Sequence, residues 1–437
     1  MKRTQLKKFI VLLAAVTVIG GSPVYSNANT MDKADVQVDN EAAEVTNKDE
    51  SKMKKYEDIN GQEWIDNNRV LRAKEVRGED GEAKIVISVY NLNTKEDKVY
   101  ENVNIDDLYG ISPNGRYVLY GEPRNIPTDR DEWQKALDSG ELLYKKHDIL
   151  DLQTGEIIVD FDKTPKNYES QYKWINDDYI FVNHYSCWKI MNKNGQVIKE
   201  GNYDYIGYAD EWAHLVDVSE LNVDGDKVSG SFYYTKSYMG SDRNLGEEIF
   251  SMDVNSKEEK SIKKCEYSND VRKAGDVMTV EFFNNNGGAV GGYFVNRTFG
   301  FNILDTKGNL VRTYELPFGK NYLNFSLSPD GEKCAFVEVD GYMNSNADPD
   351  YAVLKVLNIK TGEVEEVAKM KDLINAEKES GYYDFSQHVE LKYSVRLFKI
   401  SNLSWNKDGS SLMFNYSYTS KEDGKNYTST YIKEFNK

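Results

Sequence analysis

Ile111-Ser112-Pro113-Asn114-Gly115 runs directly into the apolar stretch Arg116-Tyr117-Val118-Leu119-Tyr120, and the pattern returns as Leu327-Ser328-Pro329-Asp330-Gly331 ahead of Glu332-Lys333-Cys334-Ala335-Phe336-Val337. A looser copy is Trp405-Asn406-Lys407-Asp408-Gly409 before Leu412-Met413-Phe414. Proline presets φ at about −65° for the first turn corner, Asn or Asp bonds its own backbone, and glycine takes a positive φ. Each copy therefore predicts a reversal between two strands.

Working outward, the turns fall into two alternating families. In the first, an aromatic or aliphatic residue precedes the corner: Trp64-Ile65-Asp66-Asn67-Asn68, the Ser112 copy, Trp174-Ile175-Asn176-Asp177-Asp178, Tyr208-Ala209-Asp210-Glu211, Ala274-Gly275-Asp276, the Ser328 copy and the Trp405 copy. In the second, a polar corner follows a strand: Asn91 to Lys95, Asp151 to Glu156, Asn192 to Gly195, Asp253 to Lys257, Asp305 to Gly308 and Asn358 to Glu363. Two hairpins per unit make four strands, and a four-stranded unit recurring at intervals of roughly fifty to sixty residues predicts a β-propeller. Apolar runs such as Tyr179-Ile180-Phe181-Val182 and Tyr351-Ala352-Val353-Leu354-Lys355-Val356-Leu357 suit sheets covered on both faces. Seven blades are expected, with six as the alternative. The first family has one more member than the second. That predicts a final blade whose outer strand comes from a segment just before Trp64, so that residues near Lys54 to Asp58 pair with Tyr427 to Ile432 and close the ring. Two stretches depart from the β pattern: Thr128 to Gly140 and Met370 to Gly381 carry helix start and stop signals and read as short helices on inter-strand loops.

The ends of the chain bear on its compartment. Lys2, Arg3, Lys7 and Lys8 precede the apolar run Phe9 to Ile19, and small residues follow at Ser26-Asn27-Ala28, the layout of a secretory signal peptide over residues 1–28. That run is shorter than the roughly 20 residues a membrane span needs. Residues 29–55 hold acids, Asn, Ala and Lys and no aromatic side chain, the composition of a flexible linker, so the propeller is expected over residues 56–437. The formal net charge is −17, and removing the leader deepens it to −21. An acid-rich chain repels phosphate backbones, which argues against a nucleic-acid binder, and the leader points to a secreted or wall-associated protein. Cys187, Cys265 and Cys334 lie far apart and are odd in number, so neither a disulfide framework nor a paired-cysteine metal site is expected.

The Ser-Pro-Asp-Gly and Trp-Asn-x-Asp-Gly turns at Ser112 to Gly115, Ser328 to Gly331, Trp174 and Trp405 resemble the repeat of TolB-like propellers and, more distantly, the propeller domains of dipeptidyl-peptidase-type hydrolases. The resemblance implies a fold. A separate N-terminal α/β domain of the TolB kind has no counterpart here, because the segment before Tyr56 is too poor in apolar residues. Nor does the hydrolase half: no G-x-S-x-G elbow occurs.

Other chemistry is sparse. His147, His184, His214 and His388 stand singly, without the HxH or HxxxH spacing of a zinc site. Calcium is the better metal candidate, through Asn344, Asn346, Asp348 and Asp350, with a second alternation at Asn222, Asp224 and Asp226; neither has the closing Glu of an EF-hand, and hairpin tips explain both. Asn284 to Gly292 is glycine-rich but lacks the Lys and following helix of a phosphate loop. Phe232-Tyr233-Tyr234 and Tyr382-Tyr383 are candidates for a sugar or peptide groove or, equally, blade packing. The expectation is an exported, non-catalytic propeller that binds a protein, peptide or cell-wall polymer at the envelope, without cofactor. The alternative is an extracellular hydrolase or lyase acting on carbohydrate or lactone with carboxylates at the central channel.

Overall fold

The computed structural model describes residues 53–437 except 58, 78–82, 124–128, 140–145, 159–160, 162–169, 185, 205–212, 240–244, 267–269, 286–288, 291–292, 295–296, 318–319, 341–351, 375–378, 380–381, 385–388, 392–399 and 436–437. Among the described residues there are seven four-stranded antiparallel sheets. The first blade is Gly61–Asp66, Arg69–Arg77, Ala83–Asn91 and Asp97–Tyr100, and the second is Asp107–Ile111, Tyr117–Gly121, His147–Asp151 and Ile157–Ile158. The third is Gln171–Trp174, Tyr179–His184, Cys187–Asn192 and Val197–Asn202, and the fourth is Ala213–Asp217, Ser231–Met239, Leu245–Asp253 and Glu259–Glu266. The fifth is Val271–Ala274, Val277–Asn285, Arg297–Asp305 and Leu310–Glu315, and the sixth is Lys320–Leu327, Lys333–Asp340, Val353–Asn358 and Val364–Lys369. The seventh takes three strands from the C-terminus, Ile400–Trp405, Ser411–Thr419 and Asn426–Glu434, and its outer strand from Met53–Tyr56. In that outer pairing Lys54 stands opposite Ile432 and Tyr56 opposite Thr430.

The apolar core is divided into slabs, one between each pair of neighbouring blades. Strand alternation makes this possible, because successive side chains point to opposite faces. In the second blade Val118, Tyr120 and Leu150 pack on the first blade, whereas Tyr117, Leu119 and Ile149 pack on the third. The remaining slabs join the third and fourth, fourth and fifth, fifth and sixth, sixth and seventh, and seventh and first blades. Each fully buried branched or aromatic side chain contributes roughly 1.5–3 kcal/mol, so a blade loses its stability if either neighbour is removed. Six blades are thereby set aside: the fifth unit, weak in the sequence, is a complete sheet.

The six polar corners all connect third to fourth strands, as expected, and six of the seven aromatic or aliphatic corners connect first to second strands. The corner expected at Tyr208-Ala209-Asp210-Glu211 is a misplacement. Those residues lie outside the described ones and precede the first strand of the fourth blade; the true corner is Val218 to Gly230. An extra hairpin, Asn222–Asp224 against Lys227–Ser229, occupies it and lengthens the corner beyond recognition. The helix expected over Thr128 to Gly140 is present as Arg130–Asp138, started by Asp129 accepting from the Asp131 and Glu132 amides. The one expected over Met370 to Gly381 is a single turn, Met370–Leu373, because Ile374 is already extended.

Candidate functional site

Antiparallel connectivity sorts the connections by face. First-to-second and third-to-fourth turns share one face; second-to-third and fourth-to-first connections share the other. The turn face is tight and interlocked. Asn114 donates its backbone N–H to Asp177 at 2.8 Å, Asn176 Nδ2 reaches Val223 O at 3.3 Å, and Lys273 Nζ of the fifth blade meets Asp217 of the fourth at 2.9 Å. Lys333 Nζ meets Gly409 O at 3.4 Å, and Asn406 Nδ2 meets Asn67 Oδ1 at 3.1 Å. Glycine is required where turns touch: a Cβ on Gly115 would lie 2.9 Å from Ile65 O, and one on Gly331 would lie 2.5 Å from Ala274 O. Lys407 reaches past the first blade, from the seventh to Pro113 O of the second.

The tryptophans that open three of these corners have a role that the sequence pattern did not disclose. Trp64 Nε1 donates to Ser404 O at 3.0 Å, Trp174 Nε1 to Gly110 O at 3.3 Å, and Trp405 Nε1 to Ser326 O at 3.0 Å. Each indole staples its first strand to that of the preceding blade.

The opposite face carries the long connections, including 122–146 with the Arg130–Asp138 helix, where Trp133 remains 40% exposed. Ionisable groups gather there around Asp270 at the start of the fifth blade, His214 and Glu247 on the fourth blade and Glu281 on the side of the fifth that faces the sixth. Burial pushes Glu281 up to about 7, with Asp270 adding to the shift and Arg272 opposing it. Glu247 is also raised by burial, against hydrogen bonds from Ser237 and Thr235, and again Asp270 adds to it. His214 is lowered by burial, with Asp270 opposing.

Two further groups stand on first strands, Lys173 in the third blade and Glu63 in the first. Lys173 holds Val216 O at 2.6 Å and lies 3.9 Å from Asp217 Oδ1, with 44% of its side-chain surface still open. Its pKa is lowered by enclosure among protein atoms and by Arg272 and Lys273, which outweigh Asp217. Glu63 of the first blade is pushed up to about 7 by burial, against the Ile111 amide and Lys407.

The sequence candidates fare unevenly. Asn344, Asn346, Asp348, Asp350 and His388 lie outside the described residues. Asn222, Asp224 and Asp226 belong to the extra hairpin, with Asp224 opposite Lys227. Phe232, Tyr233 and Tyr234 are buried between blades and line no groove. Tyr382 opens a short strand paired to Val389–Leu391. Of the stretch Asn284 to Gly292, Asn284 and Asn285 end the second strand of the fifth blade and Ala289–Val290 pairs with Tyr293–Phe294, while 286–288 and 291–292 lie outside the described residues. Trp188 is in the core, and Cys187, Cys265 and Cys334 are free thiols. The His214, Glu247, Asp270 and Glu281 grouping had no signal in the sequence, since its members are far apart along the chain. Among the described residues no three His, Cys, Asp or Glu side chains are placed to hold one metal ion.

No protein-family model and no curated protein matches the chain. Among solved structures, the β-propeller domain of the Trilobed protease from Pyrococcus furiosus aligns over 87% of this chain and 96% of that one, with a TM-score of 0.51 and 10% identity. TolB from Acinetobacter baumannii aligns over 84% of this chain and 81% of its own, with a TM-score of 0.36 and 13% identity. A prolyl endopeptidase structure aligns over 84% of this chain but 47% of its own, with a TM-score of 0.43 and 14% identity. This chain therefore spans about half of that peptidase. At such identities the likeness is one of fold: the protein is a seven-bladed β-propeller.

Proposed function

We propose that the protein is an exported, non-catalytic propeller that serves as a binding or scaffold module for a protein, peptide or cell-wall polymer at a bacterial-type envelope. The asymmetry between the faces carries this reading. One face is locked turn to turn, while the other collects the variable-length connections, a helix and an exposed tryptophan, which is where a rigid scaffold displays contact residues. The leader-like residues 1–28 and the acidic residues after them supply the export and spacing elements; the propeller begins three residues before the expected boundary at 56, since Met53 already opens the outer strand of the seventh blade. Among the described residues no helix is long and apolar enough to cross a membrane.

The test is cross-linking of the chain, without residues 1–28, to envelope extract and to purified wall polymer, with the cross-linked positions mapped. Cross-links on the 122–146 connection and its neighbours, lost in Trp133→Ala and kept in the turn-face variant Glu332→Gln, are expected. Cross-links confined to the turn face overturn the reading.

A second reading, a hydrolase or lyase on carbohydrate or lactone, draws on Glu63 and Glu281, both held near 7. It needs carboxylates from several blades around one substrate, whereas Glu63 and Glu281 belong to the first and fifth blades. Turnover of oligouronides or lactones, abolished by Glu63→Gln or Glu281→Gln, tests it. Calcium held by Asn344, Asn346, Asp348 and Asp350 would bind in the chain segment between the second and third strands of the sixth blade. Heat on titration with millimolar Ca²⁺, lost when Asp348 and Asp350 become Asn, tests that.

A further inference from the structure

The first strands of the third, fourth and fifth blades bring two lysines to one carboxylate. In Gln171–Trp174, Tyr172 and Trp174 pack toward the second blade, so alternation turns Gln171 and Lys173 toward the fourth. Gln171 Oε1 accepts the Leu215 amide at 2.6 Å, and Lys173 Nζ donates to Val216 O at 2.6 Å. In Ala213–Asp217 the register shifts between Leu215 and Asp217, which sets Asp217 opposite Tyr233. Its carboxylate thereby reaches both neighbouring blades: Oδ1 lies 3.9 Å from Lys173 Nζ of the third, and Oδ2 accepts from Lys273 Nζ of the fifth at 2.9 Å. Lys273 also donates to Ser219 Oγ at 3.2 Å, lies 3.5 Å from Glu220 Oε1 and sits 4.8 Å from the centre of the Tyr233 ring.

The two lysines are unequally served. Lys273 keeps only 2% of its side-chain surface open and is a buried, matched ammonium. Asp217 Oδ2 is committed to that side, since it also accepts from Ser219 Oγ and from the Ser219 amide at 3.2 Å. Lys173 is left with a neutral carbonyl as its direct acceptor, while 44% of its side chain stays open. One carboxylate shared between two amines matches one positive charge, and the buried lysine takes it. The open amine beside a fixed ammonium is then disposed to carry a free lone pair. Enclosure lowers the Lys173 pKa, Asp217 opposes, and Arg272 and Lys273 add to the lowering. The charged and titratable groups about Lys173 are thus Asp217 of the fourth blade and Lys273 of the fifth, with Glu220 beyond Lys273. Arg272 donates to Asp270 and to Phe325 O, on the side of the sixth blade, and acts on Lys173 through its charge.

We infer that Lys173 is a carbonyl-capturing amine, a site at which a small aldehyde becomes reversibly attached to the protein. The site lies on first strands and does not depend on the reading of the loop-bearing face as a contact surface. In the step, the Nζ lone pair attacks the carbonyl carbon and forms a C–N bond. The carbonyl oxygen then leaves as water with the two amine hydrogens, and a C=N bond remains. No oxidant or reductant takes part, and added water reverses the attachment.

The test is reductive alkylation of the wild-type chain at pH 7 with limiting propanal and cyanoborohydride, which turns each imine into a stable secondary amine, followed by peptide mapping. Lys173 is expected to be propylated roughly tenfold faster than Lys95 and Lys257, which are exposed at polar corners, so that openness alone would favour them. Lys273 is expected to stay unlabelled. Followed from pH 6 to 9, the Lys173 rate should level off at a lower pH than theirs, and in denaturing urea its preference should vanish. Lys273→Met frees Asp217 for Lys173 and is expected to bring the rate down to that of Lys95; where that variant does not fold, the pH profile and the urea comparison on the wild-type chain decide. Propylation of Lys173 no faster than of Lys95, a pH profile parallel to theirs, a preference that survives urea, or an unchanged rate in folded Lys273→Met overturns the inference.

Discussion

Six third-to-fourth corners share a single device, an Asn or Asp whose Oδ1 accepts backbone amides two and three or four residues on. Asn91, Asp151, Asn192, Asp253, Asp305 and Asn358 all do this. Four of these corners place a glycine in the left-handed region, at φ near +80°, but two place lysine there: Lys95 at φ +62° and Lys257 at φ +57°. A side chain in that region costs about 1–2 kcal/mol, partly offset by the greater unfolded-state freedom of glycine. Lys95→Gly and Lys257→Gly are therefore each expected to stabilise the chain by about 0.5 kcal/mol, read as a higher midpoint in urea. Gly155→Ala is the converse control: a Cβ there meets nothing within 4 Å, so its loss of about 1 kcal/mol would be torsional alone. Proton linkage also belongs at this scale. Because burial holds Glu63 near 7 while the unfolded chain releases that proton near 4.3, the folded state binds more protons between these values. Stability then falls as pH rises from about 4.5 to 7. Asp217 has the opposite sign: although burial works upward, Lys173, Ser219 and Lys273 outweigh it and hold the carboxyl below its usual value, so its contribution is lost in acid as pH falls through that lowered value. Melting temperatures followed from pH 3 to 8 should pass through a maximum near pH 5, and Glu63→Gln should flatten the neutral limb; an unchanged limb in that variant removes Glu63 from the account.

Between blades, what holds elements in place is a mixture of apolar slab and directed bond. Trp174→Phe keeps a planar aromatic ring at the position but removes the five-membered ring with the N–H that reaches Gly110 O. The expected cost is about 1 kcal/mol, with the larger loss in Trp174→Ala, which also removes contact with Tyr117. Denaturant midpoints separate the two contributions, and equal values for Phe and wild type would leave the staple without energetic weight. The same elements show where sequence can be read. Ser112-Pro113-Asn114-Gly115 was legible because its torsions are enforced by the residues themselves, whatever they pack against. The Val218 to Gly230 corner was illegible because an inserted hairpin broke its spacing, and a neighbouring tyrosine at 208 supplied a false copy. The neighbourhood of Asp270, with Glu247 of the fourth blade and Glu281 of its own, was illegible for another reason: strand pairing and blade stacking bring near one another residues that share no local motif. The tryptophans were visible as corner markers, but their bonds to another blade follow from ring geometry, which one unit does not contain.

At the scale of the ring, the seam between the seventh and first blades differs from the others. Among the described residues its apolar slab is the smallest, built on Trp64, Val70, Leu92, Met413 and Ile432. Directed bonds compensate. Thr430 Oγ1 accepts the Gly61 amide at 2.9 Å and donates to Ile59 O at 2.6 Å, and Asn415 Nδ2 donates to Gly61 O at 2.8 Å. Asn402 Nδ2 donates to Gln62 O at 2.9 Å, and Lys54 pairs with Glu434 at 2.7 Å at the exposed edge. Met53–Tyr56 completes the seventh sheet beside this network and brings Tyr56 against Tyr90 of the first blade, centroids 6.3 Å apart. If that strand is what holds the ring shut, removing residues 53–57 should act well beyond its four residue pairs. The exposed salt bridge is worth little, so the loss must come through backbone pairing and through water reaching Thr430 and Asn415. Thr430→Val leaves the strand in place but strips the Gly61 amide and Ile59 carbonyl of their partner, for about 1–3 kcal/mol. Deletion of 53–57 is expected to lower the melting temperature by several degrees and to raise amide exchange first along Asn426–Glu434 and Gly61–Asp66. Combined with Thr430→Val it should cost less than the sum of the separate effects, because both open the same seam. A deletion with unchanged melting temperature and exchange would show that the seven slabs and the seam's own hydrogen bonds hold the ring without the N-terminal strand.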